Sequence, residues 1–428
     1  MRLREKIQSS HEKILTVLDI GTKKVCCLIA RVVSARHGKH NPGEEIHIIG
    51  FGHQASQGMR SGVVRDLVAA ENSVRAAVSK AEEMAGIEVK NVLLAVACGR
   101  LKSLNYAAET DVTWSAVRQH DIEKIVNGAE QFAIQDGRQL LHLHPINYIL
   151  DGNSGVKDPL GMVGNHLSID FHALTADYQP LRNLCLVVER CHLNIQGLVA
   201  APYASGLATV AEDEAKLGVM CIDIGGWTTT LSVFLEGHFI YADVIAMGSE
   251  QITSDIADAL SMPLEEAERI KNFYGGLSTA SSDANEVIKF HRVGEEFSTN
   301  SSITRSQLVD LIRPRMTEIL TTISEHLEKS GMAALSGQRV VLTGGGSQLP
   351  GLAQFAASLF GKAVRIGQPF PVEGLPEQGV SPAFSVPLGL LRYPFQPRAK
   401  IRKVSNHSTS HGHDGYVQRL GTWLKENF

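Results

Sequence analysis

The chain has no run of about 18 apolar residues, the least that lets a helix cross a membrane. Its charged opening, MRLREKIQSSHEK, is followed by too short an apolar stretch for a signal peptide. The protein is therefore expected neither to span a membrane nor to be exported. A large charge imbalance is missing as well. Against 41 Lys and Arg stand 45 Asp and Glu, a formal net charge of −4, so no global basic field points to nucleic acid. The six cysteines (Cys26, Cys27, Cys98, Cys185, Cys191 and Cys221) lie in apolar runs without a CxxC pair, which excludes the usual spaced zinc sites and suits buried thiols in a reducing compartment. Neither a GxxxxGK[ST] phosphate loop nor a GxGxxG dinucleotide turn occurs: Gly361-Lys362 is followed by Ala363.

What is present is 428 residues of ordinary globular composition, 43% hydrophobic and 20% charged, enough for two or more domains with buried cores. A strand over Ile14 to Ile20 closes on Gly21-Thr22 and returns over Val25 to Val33. The arrangement recurs where Gly218 to Ile224 runs into Gly225-Gly226 and Thr229 to Leu235 returns, which reads as an internal duplication. Between the copies, Leu67, Val68, Val74, Val78 and Met84 fall at helical spacing over Asp66 to Met84, and Gly86 stops the helix. Val92 to Ala97 is expected as a strand, Asp121 to Phe132 as a helix, and Leu141 to Leu150 and Leu167 to Leu174 as strands, so residues 88–174 read as a compact inserted subdomain. After the second hairpin come helices over Gln251 to Leu260, Pro263 to Tyr274 and Ser306 to Lys329, the last containing Pro314, and a buried strand over Arg339 to Leu342.

Three glycine turns, each at the end of an apolar strand, carry the chemistry: DIGTKK at Asp19 to Lys24, DIGGWTTT at Asp223 to Thr230, and TGGGSQLPG at Thr343 to Gly351. Small residues let backbone N–H groups approach phosphate oxygens, and consecutive N–H dipoles supply positive potential. An aspartate before each of the first two turns would repel phosphate directly but suits a hydrated Mg²⁺ that bridges the phosphates, which gives Asp19 and Asp223 a joint role as metal ligands through water. One such turn alone would be plain turn chemistry; three together are not.

These turns, the VVLTGGGSQLPG segment and the order of elements resemble the actin, hexokinase and heat-shock chaperone superfamily, and most closely the FtsA family of bacterial cell-division proteins. The likeness covers Ile14 to Tyr393 and includes GVVRDLVAAENSVRAAV, SDIADALSMPLEEAERIK, RPRMTEIL and SVPLGLLRY. It implies an α/β, actin-like (ribonuclease H-like) duplicated fold: a first lobe over 13–87 and 175–212, an inserted subdomain over 88–174, a second lobe over 213–250 and 335–395, and a small subdomain over 251–334. It further implies ATP with Mg²⁺ as ligand: Gly21, Thr22 and Lys23 on one side of the phosphates, Gly225, Gly226 and Thr228 on the other, Glu268 and Lys271 at the ribose and adenine, and Gly344, Gly345 and Gly346 as the adenosine loop. From the residues alone, Glu268 and Lys271 read equally as an exposed i,i+3 ion pair. Trp227 stands where relatives often carry a third glycine, and a demand for positive φ there would cost about 1 kcal/mol or more. Ala201 to Ser205, which joins the lobes, offers no carboxylate or glutamine to orient water, so hydrolysis is expected to be slow or negligible.

Beyond Pro394 the composition changes. Residues 396–415 are basic and then Ser, His and Gly rich, as in a flexible linker, and Tyr416 to Phe428 drawn as a helix gathers Tyr416, Val417, Leu420, Trp423, Leu424 and Phe428 on one arc. Such a helix is expected to lie on an anionic membrane surface; docking on the protein's own core is the alternative. The histidines at 407, 411 and 413 in the linker are not expected to hold a metal. By resemblance the protein recruits the C-terminal tail of FtsZ to the cytoplasmic face of the inner membrane at the division site, assembles into filaments and meets other division proteins, with Arg313 and Arg315 placed to pair with the tail's carboxylates. A small-molecule kinase of the same superfamily and a scaffold of a pilus or secretion apparatus are the rival readings; the first lacks an identifiable catalytic carboxylate.

Overall fold

The computed structural model describes residues 13–34, 44–98, 100–113, 116–134, 137–278, 283–294, 301–396, 402 and 417–419. Among these, the strands form three five-stranded sheets and two short hairpins. In the first lobe, β1 (Lys13–Ile20), β2 (Lys24–Ser34) and β3 (Glu44–Ala55) make an antiparallel meander, followed by the hairpin β4 (Met59–Arg60) and β5 (Val63–Val64) and the helix α1 (Leu67–Ala85). Strand β6 (Asn91–Val96) then pairs parallel to β1, so it belongs to this sheet although it falls inside the span 88–174 read as the insertion. Its near-continuous apolar run is that of a strand covered on both faces.

The inserted sheet begins at β7 (Lys102–Asp111) and continues through α2 (Gln119–Ala133), β8 (Arg138–Leu150), β9 (Asn153–Val156) and β10 (His166–Asp177). The chain returns to the first lobe with α3 (Tyr178–Arg190) and β11 (Asn194–Ala200), which pairs parallel to β6, and crosses through α4 (Ala201–Thr209) and α5 (Glu212–Leu217).

The second lobe repeats the topology. β12 (Val219–Ile224), β13 (Thr229–Leu235) and β14 (His238–Ile245) form the meander; β17 (Arg339–Thr343) and β18 (Ala363–Ile366) add in parallel. Orders β3-β2-β1-β6-β11 and β14-β13-β12-β17-β18 are the same connectivity twice, which is the expected duplication. Between β14 and β17 lie α6 (Ser249–Leu260), α7 (Leu264–Tyr274), the hairpin β15 (Val287–Phe290) and β16 (Ser301–Thr304), and α8 (Arg305–Ser330); α9 (Leu352–Phe360) and α10 (Ser385–Arg392) complete the lobes.

Local signals explain the elements. Asp66 caps α1 through Oδ1, which accepts from Val68 N at 2.9 Å and Ala69 N at 3.1 Å, and Gly86 ends it in the left-handed region. The buried face is Ala70, Ser73, Val74, Ala77, Val78 and Ala81, whereas Val68 and Met84, expected on it, are exposed. Small side chains let α1 lie close on the sheet, where larger residues would hold it away. Pro263 is the N-cap of α7, not part of its first turn. Thr304 and Gln307 form a capping box at the start of α8, and Pro314 sits inside that helix.

The C-terminal expectations are modified. Val417–Arg419 (β19) is a strand, antiparallel to β7 with Val417 opposite Ala108 and Arg419 opposite Tyr106, so a helix does not run through these three residues. Without β19, β7 is an edge whose free N–H and C=O groups pair with any extended segment that passes. Tyr416, Leu420, Trp423, Leu424 and Phe428 lie outside the described residues. Within the expected linker, Arg402 is tied down: its C=O accepts from Leu198 N at 3.0 Å and its guanidinium donates to Glu130 of α2 at 2.6 Å.

Candidate functional site

The two lobes face each other across a cavity of about 520 Å³. Asp19, Gly21, Thr22, Lys23, Asp223, Gly225, Gly226, Thr228, Glu268, Lys271, Gly344, Gly345 and Gly346 all line it, so residues separated by more than three hundred positions meet in one place. The turn after β1 is closed by Gly21 N donating to Lys24 O at 3.0 Å, and the turn after β12 by Gly225 N donating to Thr228 O at 2.9 Å. The two are the same device in the two halves. The third turn follows β17. Gly344 has φ +84°, and a Cβ there would lie 2.2 Å from Asp223 Oδ1, so only glycine brings this loop against the second turn.

Electrostatics at the floor of the cavity are unusual. Burial raises the Asp19 carboxyl to about 6, opposed by Lys24. Burial, with Asp19 adding to it, raises Asp223 to about 7. Lys24 is held below its ordinary value by burial; its Nζ donates to Ala383 O and lies 3.3 Å from the centroid of the Phe384 ring. Two buried carboxylates with one lysine are an oxygen-rich site short of positive charge. That donor set suits a hard divalent cation that keeps some of its waters. Lys24 was missed as a site residue in the sequence. Its signal was present: a second lysine beside the first turn, at the start of a strand whose neighbours are apolar.

Glu268 and Lys271 are not the exposed pair that their spacing alone allows. Lys271 is 6% exposed, and its Nζ donates to Glu268 Oε2 at 2.6 Å, Thr253 Oγ1 at 2.7 Å and Ser249 O at 3.2 Å. Lys23 Nζ lies 2.8 Å from Glu250 Oε1 at the start of α6, a contact between the first lobe and the opposite wall. Trp227 is not among the residues of positive φ, so the departure from glycine at this position carries no backbone strain. Arg313 and Arg315 lie away from the cavity and have partners within the protein: Arg313 Nη2 donates to Leu277 O at 3.0 Å, and Arg315 grips Asp255 through Nε at 2.7 Å and Nη2 at 2.9 Å while Nη1 reaches Glu318 at 2.6 Å.

Two lobes of one repeated topology, closing on a cavity floored by glycine turns, define an actin-like ATPase fold. The PilM–PilN type IV pilus biogenesis complex shares it, with a TM-score of 0.62 at 16% identity over 90% of this chain and 99% of that one. MreB 5 of Spiroplasma citri bound to AMPPNP shares it with a TM-score of 0.51 at 14% identity, covering 89% of this chain and 96% of that one. The family model for "Cell division protein FtsA" matches residues 220–389, and that for the "SHS2 domain inserted in FTSA" matches residues 98–175. Cell division protein FtsA of Agrobacterium fabrum is 40% identical over 99% of this chain and 96% of its own length, and that of Escherichia coli is 31% identical over 99% and 100%. The chain belongs to the FtsA family of cell division proteins.

Proposed function

We propose that this protein binds ATP with Mg²⁺ between its lobes and, in that state, holds FtsZ at the cytoplasmic face of the inner membrane during division, joining copies of itself into filaments. The observation that carries the nucleotide reading is the convergence of all three glycine turns with Asp19 and Asp223 on one cavity. Backbone N–H groups of the first two turns would hold the phosphates, Lys23 and Lys24 would balance their charge, and Asp19 and Asp223 would hold Mg²⁺ through water. Glu268 and Lys271, with Gly344 to Gly346, line the same cavity and would hold the ribose and base. Bound there, the metal would supply charge neutralisation at the phosphates. Ala201 to Ser205 at the start of α4 carry no carboxylate or glutamine, so nucleotide acts chiefly as a structural ligand that closes the lobes, with slow hydrolysis at most.

Membrane association is assigned to Tyr416 to Phe428, whose arc of Tyr416, Val417, Leu420, Trp423, Leu424 and Phe428 would form on lipid once Val417–Arg419 leaves the β7 edge. No helix among the described residues is long and apolar enough to cross a membrane. The small subdomain of α6, α7 and α8 is the proposed seat of the FtsZ tail, with Arg313 and Arg315 as its cationic contacts. Because Arg315 already holds Asp255, Arg313 is the cleaner residue to test.

The deciding experiment has two arms. Millimolar Mg-ATP is expected to raise the melting temperature, as any ligand of the folded state does. Deletion of Tyr416 to Phe428 is expected to leave that rise intact but abolish co-sedimentation with anionic liposomes. An unchanged melting curve rejects the nucleotide site; a truncated chain that still pellets rejects the anchor.

A further inference from the structure

The second glycine turn is met from across the cleft. Strands β4 and β5 are joined by Ser61 and Gly62, both in the left-handed region with φ +48° and +76°, the requirement of a two-residue type I′ hairpin turn. The hairpin belongs to the first lobe, and its tip abuts the second: a Cβ added to Gly62 would lie 3.3 Å from Ala97 O and 3.4 Å from Thr228 Cγ2. Ala97 and Thr228 both line the cavity, at the end where the first two glycine turns face each other. Beside this contact the guanidinium carbon of Arg60 lies 5.2 Å from the centroid of the Trp227 ring, within cation–π range. Among the described residues no carboxylate pairs with Arg60, so the ring is the partner that holds it. Trp227 sits between Gly226 and Thr228, which line the cavity, and its backbone adopts an unstrained conformation.

We propose that Arg60 and Trp227 form a clasp between the lobes at the phosphate end of the cleft, and that the clasp sets how fast bound nucleotide leaves. The inference rests on the reading of the cavity as a nucleotide site. A ligand held between two lobes departs when they separate, and separating them at this end pulls the guanidinium off the indole. The clasp therefore adds to the barrier for release. It also keeps a cation near the triphosphate end, on the side where a glycine at 227 would leave Arg60 without a face to rest on. Arg60 and Trp227 are positioning residues: neither lines the cavity, and both act through the hairpin tip and the turn beside it.

The test is stopped-flow release of a fluorescently labelled ATP, with Mg²⁺, from the full chain. An exposed cation–π pair is worth about a two- to five-fold change in rate. Arg60→Ala and Trp227→Leu should each speed release by about that factor. The double variant should be no faster than the faster single one, because either change removes the whole contact. Trp227→Phe and Arg60→Lys keep a ring and a cation and should fall between wild type and the disruptive variants; they also secure the result if Trp227→Leu fails to fold. Release at the wild-type rate in Arg60→Ala, or single effects that multiply in the double variant, overturns the clasp while leaving the site. A wild-type chain that retains no labelled nucleotide overturns the reading of the cavity, and the clasp falls with it.

Discussion

Two junctions between domains invite comparison: the cavity between the lobes, and the contact of the inserted subdomain with the second lobe. The first is polar and open, with buried carboxylates raised above their usual range and a lysine of one wall beside a glutamate of the other. The second is closed and aromatic. His142 and His144 of β8 and His172 of β10 face Phe239 of β14, Tyr203 of α4 and Tyr393 just beyond α10, with Tyr203 and Phe239 stacked at 4.5 Å and His172 edge-on to Phe239 at 4.8 Å. His172 Nδ1 lies 2.9 Å from Phe239 O and its Nε2 3.0 Å from Ser103 Oγ, which in turn accepts from Ala242 N at 2.8 Å. A junction built this way is closed by its own packing, although His144 Nε2 and Asn105 Oδ1 are buried there without a hydrogen-bond partner among the described residues, whereas one that buries carboxylates around a cavity is stabilised further by what it takes up.

The comparison breaks most visibly with pH. Burial holds His142 well below its ordinary value, His144 down to about 4 and His172 down to about 3. These groups are depressed in the folded state, so the open or unfolded form binds more protons. Their contribution is intact above the ordinary imidazole value of about 6.5 and is lost as pH falls below it. Acidification to pH 5 therefore weakens the junction, all three histidines acting in the same direction. The cavity has the opposite sign. Asp19 and Asp223 are raised to about 6 and about 7, so the folded form binds more protons and their burial costs less as pH falls through those values. Amide hydrogen exchange separates the two: once the intrinsic slowing of exchange in acid is divided out, acidification should lower the protection factors in β8, β10 and β14 and leave those of β1 and β12 high. Uniform protection from pH 7.5 to 5 would refute the account of the histidine junction.

The two junctions also differ in how far the sequence discloses them. The cavity was legible because its parts are short motifs with local causes: a strand, a glycine turn and an aspartate at Asp19 and again at Asp223, and a glycine triplet at Gly344. The repeated topology followed from the repeated hairpin. The histidine junction has no such signal, since His142, His172, Tyr203, Phe239 and Tyr393 are single residues on elements that only tertiary packing brings together. For the same reason β6 was placed on the wrong side of the insertion boundary: a buried apolar strand carries no mark of which sheet it enters. Lys24 was passed over because lysine beside a turn reads as solvated until the floor of the cavity is seen to enclose it.

Asp223→Ala gives the next largest effect and sharpens the contrast. It removes a buried carboxylate, so the ligand-free protein should melt no lower than wild type at pH 8. It also removes half of the proposed metal site, so the stabilisation by Mg-ATP, about 2.7 kcal/mol for ligand at a hundred times its Kd, should largely vanish. Differential scanning calorimetry with and without Mg-ATP reads both at once. An equal rise in melting temperature in the two proteins would remove Asp223 from the site.

The smallest effect is expected at Glu250, and it runs the other way. Lys23 of the first turn reaches 2.8 Å to Glu250 across the cleft and lies 4.0 Å from Glu268. The lysine side chain is about half exposed, so the bridge contributes less than about 1 kcal/mol to the ligand-free protein. For phosphate to use the same ammonium, Lys23 must leave Glu250, and the carboxylate it leaves stands beside incoming negative charge. Glu250→Gln removes both the competition and the repulsion and keeps the shape of the side chain. Nucleotide should bind up to about five-fold tighter, because a gain of about 1 kcal/mol is a little over a factor of five, while the ligand-free melting temperature falls slightly. Titration of labelled nucleotide at moderate salt measures the first effect, and raising the salt should shrink it, since the lysine of the pair is half open to solvent. Weaker binding in Glu250→Gln would mean that Glu250 holds the ligand or its metal, and that Lys23 and Glu250 act together on the phosphates.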